Sequence, residues 1–163
     1  MHRRGRGILG AILLGGVIAA TIDIGAACLI SGRNPAFILQ FIAGGVLAKA
    51  AFGGGMTTVI LGAVLQEAMG ILIATAYVPA ARAIPALSRR WAISGLAYGV
   101  AIFFVMNYAV LPLSAWRATP HFTALKFAEN MAAMLLFGLI VAFFYGRTVT
   151  AAEPVRKGAT AAA

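Results

Sequence analysis

The run Ile8–Ile30, ILGAILLGGVIAATIDIGAACLI, constrains the chain more than any other feature. It has 23 residues and one charged side chain, Asp23. At about 1.5 Å per residue, a helix of that length crosses a hydrocarbon core of about 30 Å. Three more runs of this kind follow at Met56–Val78, Trp91–Leu111 and Thr123–Tyr145. Charged residues make up 10% of the chain, against about 25% in a soluble domain. The expected class is therefore an all-α membrane protein built as a four-transmembrane-helix bundle. One domain over 1–146 carries spans at about 8–30, 56–78, 91–111 and 123–145. The polar linker PAARAIPALSRR separates the second and third spans, and the small, polar tail 147–163 is expected to be disordered and cytoplasmic.

The stretch Asn34–Gly55, NPAFILQFIAGGVLAKAAFGGG, is less plain. Asn34 suits a helix N-cap and Pro35 the first helical position. Only 15 residues separate Arg33 from Lys49, and apolar runs that short are more often interfacial or re-entrant than spanning. Positive charge gives an independent test, because Lys and Arg gather on the cytoplasmic side. If the stretch stays on the outer side, Arg3, Arg4, Arg6, Arg82, Arg89, Arg90, Arg147, Arg156 and Lys157 lie inside. Arg33, Lys49, Arg117 and Lys126 then lie outside, a split of nine to four. If it spans, the split becomes six to seven. The first arrangement obeys the rule, with both termini cytoplasmic and a short outer-side helix at 34–50. Its glycines leave room for close contact with the bundle.

The same charges account for the formal +9 without nucleic acid. They mark span ends and meet anionic headgroups, and no basic run is interleaved with aromatics. The start MHRRGRG reads as the flank of an uncleaved first span, because the apolar run is too long for a typical signal peptide. Cys28 is the sole cysteine, so it forms no intrachain disulfide and is expected to serve packing. Small residues recur at four-residue spacing in each span: Ala11, Gly15 and Ala19; Thr58, Gly62, Gln66 and Gly70; Gly95 and Gly99; Gly138, Ala142 and Gly146. Such faces let helices approach closely, within the bundle or between copies.

Chemistry is expected where polar groups enter the bilayer, since an intramembrane charge costs about 2.5–3.5 kcal/mol on an insertion scale. Asp23 lies about 6 Å beyond the middle of the first span. Gln66 and Glu67 sit at the middle of the second. Asn107 lies in the outer half of the third, and Lys126, Glu129 and Asn130 in that of the fourth. Together they outline a candidate polar pocket open to the outside, with Glu67 deepest and Lys126 pairing with Glu129 along the helix. The other arrangement is a closed network in which these groups merely satisfy one another. No HExxH, CxxC, GxSxG or phosphate-loop pattern occurs. No enzyme, cofactor or metal site is expected, and His121 is placed in a loop.

Several segments carry a resemblance. They are GGVIAATIDIGAA, FILQFIAGGVLAKAAFGGG, LGAVLQEAMGILIATAY and YGVAIFFVMNYAVLPLSA. Across about 8–146 the chain resembles the YagU-like group of small bacterial inner-membrane proteins. The resemblance implies the bacterial inner membrane and no activity, cofactor or catalytic residue. It also implies a histidine near position 66, where this chain has Gln66 followed by Glu67. Two functions follow as expectations. One is a small transporter, channel or proton-handling element using intramembrane carboxylates. The other is a non-catalytic membrane subunit or scaffold. Either is expected as a homo-oligomer or in a membrane complex within the lipid bilayer.

Overall fold

The computed structural model describes residues 2–83 and 90–150, and every long element among them is helical. The order is α1 (His2–Ser31), α2 (Pro35–Leu47), a 3-10 stretch (Ala48–Gly53), α3 (Gly55–Ala83), α4 (Trp91–Val105) and α5 (Ala124–Thr150). A π-helical turn, Met106–Val110, extends α4 into a last α-turn, Leu111–Leu113. Five segments are long and apolar enough to cross a membrane: Gly7–Ser31, Pro35–Gly53, Gly55–Ala83, Trp91–Leu113 and Ala124–Thr148. Their outward faces are apolar as well. Leu14, Leu29, Ile60, Leu72, Ile93 and Leu113 stand exposed, as hydrocarbon rather than water requires. The chain is thus a multi-pass membrane protein.

Two helices outrun their apolar segments. The linker expected after Val78 is helical as far as Ala83, and α3 passes through Pro79. Proline removes the donor to the Thr75 carbonyl, a loss that membrane helices tolerate when neighbours support the turn. The rest of that linker, 84–89, lies outside the described residues. At the other end of the chain α5 continues to Thr150, into the expected tail, whose remaining residues are also outside.

Close approaches between small residues fix the packing. Adjacent helices are antiparallel in the spatial order α3, α1, α5, α4. A Cβ at Gly16 would lie 2.9 Å from the Gly70 carbonyl oxygen, so α1 and α3 touch backbone to backbone there. The α4–α5 crossing is as tight, with a Cβ at Gly99 only 2.5 Å from the Met134 carbonyl oxygen. The Gly95–Gly99 and Gly138 faces are therefore spent inside one chain. By contrast, α3 and α4 make few direct contacts. Near the ends where α3 finishes and α4 begins, tyrosines join them. The Tyr77 hydroxyl shares a hydrogen bond with Ser94 Oγ at 2.8 Å, and Tyr98 donates to the Ile73 carbonyl at 2.6 Å. Tyr145 of α5 packs edge-on to Tyr77, with ring centres 5.6 Å apart.

At the opposite end, α2 fills the gap. Asn34 caps it, its Oδ1 accepting from Phe37 N at 2.8 Å, and Pro35 takes the first turn. Leu39 lies against Gly62 so closely that any side chain at 62 would strike the Leu39 carbonyl. Gln40 Nε2 reaches the Gly55 carbonyl at 3.3 Å and Thr58 Oγ1 at 3.4 Å. The other end of α2 meets the segment after α4. The Gly45 carbonyl accepts from Ala115 N at 2.8 Å, and Trp116 Nε1 donates to the Phe41 carbonyl at 3.0 Å. Phe41 stacks on Trp116, and Phe37 on Phe52, at about 5 Å. So α2 bridges the beginning of α3 and the end of α4.

Candidate functional site

Between the tyrosine contacts and α2, the separation of α3 and α4 leaves a partly open cavity of about 80 Å³. At about 30 Å³ per molecule it holds two or three waters. Each of four helices contributes one polar side chain: Asp23 from α1, Gln66 from α3, Asn107 from the π-turn and Asn130 from α5. Met69, Met106, Met134, Phe103 and Phe137 complete most of the wall.

Local structure explains how these side chains arrive. The crossing at Gly16 and Gly70 sets the rotation of α3, and Gln66, one turn before Gly70, is carried toward α1. Its Nε2 donates to Asp23 Oδ2 at 3.1 Å and to the Ala20 carbonyl at 3.3 Å. The π-turn places Asn107. Pro112 has no N–H for the Tyr108 carbonyl and its ring crowds that position, while Leu111 N reaches back five residues to the Met106 carbonyl. The Asn107 side chain then donates to the Phe103 carbonyl at 2.9 Å. Asn130 does the same on α5, donating to the Lys126 carbonyl at 2.8 Å.

The remaining sequence-predicted groups lie elsewhere. Glu67 is not in the cavity wall, although the sequence suggested it as the deepest member. About 100° around α3 from Gln66, it faces Thr21, whose Oγ1 lies 3.3 Å from Glu67 Oε1; its Oε2 is buried without a protein partner. Lys126 Nζ sits 3.0 Å from Glu129 Oε2 and also donates to the Ile30 carbonyl, tying α5 to the end of α1. These two form a clasp beside the cavity. His121 is exposed in the connection before α5. Among the described residues no cluster of three His, Cys, Asp or Glu side chains is placed to hold a metal.

Sequence reasoning passed over the methionines and the π-turn. Three of the six methionines line this one cavity, yet singly each reads as ordinary packing. Pro112 lies just past the run Trp91–Leu111 and reads as a span end, whereas the π-turn it follows reaches back to Asn107. Comparison with family models, curated proteins and solved structures found no match.

Proposed function

We propose that the chain is a small inner-membrane transport protein in which the cavity around Asp23 takes up a small polar or charged species. The observation that carries this is an ionisable carboxylate at membrane depth, in a cavity wide enough for water and walled by three more polar side chains. Such a group is costly in a purely structural role, and membrane proteins keep such groups chiefly along substrate, ion or proton paths. The bundle is a four-span one, with α2 on the outer side and both termini in the cytoplasm. Support for that split comes from the contacts of α2 with Gly55, Thr58 and Ala115, all at the end of the bundle where α1 finishes. A labelling experiment tests the topology. A cysteine introduced by Phe52→Cys, in a Cys28→Ser background, reacts from the outer side; reaction from the cytoplasm overturns it.

Transport is tested in proteoliposomes by ion and proton flux. Wild type exceeds empty liposomes, and Asp23→Asn lowers the flux at least tenfold. Wild-type flux equal to that of empty liposomes sinks the proposal. The scaffold reading draws on the Lys126–Glu129–Ile30 clasp, which ties two helices and is not part of the cavity wall. It predicts loss of assembly, with no flux to lose, when Glu129 becomes Gln.

A further inference from the structure

We infer that the cavity is a coordination site for one small monovalent cation. The inference rests on the transport proposal and names its cargo or coupling ion. Its chemistry lies in how the amides are turned. The nitrogen of Gln66 is held by the Ala20 carbonyl and by Asp23, that of Asn107 by the Phe103 carbonyl, and that of Asn130 by the Lys126 carbonyl. Carbonyls accept and never donate, so these bonds fix which end of each amide is nitrogen. The opposite ends are oxygens. Gln66 Oε1, Asn107 Oδ1, Asn130 Oδ1 and Asp23 Oδ1 have no hydrogen-bond donor among the described residues. The donors left over are the second N–H groups of the two asparagines, on nitrogens already held at carbonyls.

Charge points the same way. Among the described residues the one salt bridge joins Lys126 to Glu129, so Asp23 faces the cavity without a cationic partner. An ionised carboxylate there is expensive until a cation joins it. One negative charge with neutral oxygens matches one positive charge. A calcium site takes six to eight oxygens, usually from several carboxylates, and a divalent cation beside the single Asp23 carboxylate would keep one positive charge unmatched. An anion finds no charged donor. Met69, Met106 and Met134 supply a flexible apolar part of the wall.

The test is equilibrium binding, independent of flux. Purified wild-type protein in detergent is unfolded by heat, following Trp fluorescence, in N-methyl-D-glucamine chloride. Lithium, sodium, potassium or ammonium chloride replaces that salt stepwise at constant ionic strength. At least one cation raises the midpoint saturably, as ligand binding to the folded state requires. Asp23→Asn abolishes the rise, and Asn107→Ala and Asn130→Ala each raise the half-saturating concentration about tenfold. No saturable rise in wild type overturns the site, as does an unchanged half-saturation in both asparagine variants. These two variants decide the matter if Asp23→Asn fails to fold. In a parallel series made with nitrate salts throughout, a response to silver alone, with none to the other four cations, overturns oxygen coordination in favour of the thioethers. Binding without flux keeps the site and sinks the transport proposal; proton flux without cation binding does the reverse.

Discussion

The cleft between α3 and α4 has two halves that treat polar side chains in opposite ways. In the tyrosine half, every hydroxyl described above finds a partner: Tyr77 meets Ser94, and Tyr98 meets the Ile73 carbonyl. Tyr77 is 1% exposed and is not part of the cavity wall. In the asparagine half, each amide is anchored by its nitrogen while its oxygen is left over. Closing a cleft needs donors and acceptors in matched pairs. Acceptors without donors leave an opening that a cation suits. The same two helices thus supply a fastened end and a receptive end, and α2 lies over the receptive one.

The largest effect comes from breaking both halves at once. Gly138→Val drives a side chain into the Gly95 carbonyl and the Gly99 backbone, and costs about 3 kcal/mol. Size-exclusion chromatography should show the loss of the monodisperse species. Next is Asp23→Asn, which separates the halves: at least a tenfold loss of flux in proteoliposomes with the thermal midpoint nearly kept. Tyr77→Phe does the opposite. It removes one buried hydrogen bond, lowers stability by about 1 kcal/mol in chemical denaturation, and leaves flux unchanged. The smallest effect sharpens the role of the π-turn. Pro112→Ala restores a donor for the Tyr108 carbonyl, lets the turn wind as α-helix and rotates Asn107 away from the cavity. A few-fold weaker cation response is expected, with stability altered by less than about 1 kcal/mol.

The receptive half could be read in part from the sequence, because long apolar runs leave polar residues conspicuous, whereas the tyrosine half gave no such signal. Asp23, Gln66, Asn107 and Asn130 were identifiable as intramembrane polar groups, and they converge on one cavity. Asn34 announced the start of α2 through its capping chemistry. Helix rotation was harder to judge. Gln66 and Glu67 are adjacent, and the stronger charge drew the functional expectation. The deciding signal was the line Thr58, Gly62, Gln66, Gly70, whose small residues mark the face that packs. Glu67 falls about 100° off that face and ends beside Thr21. The π-turn was illegible for another reason. Hydropathy has no sensitivity to a single inserted residue, and a proline alone does not announce one, since α3 passes through Pro79 as plain α-helix. The orientation of the three amides depends on carbonyls one turn away or on another helix, which composition does not encode.

The central claim is that one half of the α3–α4 cleft is wet and the other sealed. In a Cys28→Ser background, Asn107→Cys and Ser94→Cys place single thiols in the two halves. A membrane-impermeant thiol reagent is applied to intact membranes from the side that α2 faces. The account predicts rapid modification at position 107, slowed by the cation that raises the thermal midpoint, and none at position 94. Equal modification at both positions, or an inert thiol at 107, would contradict it.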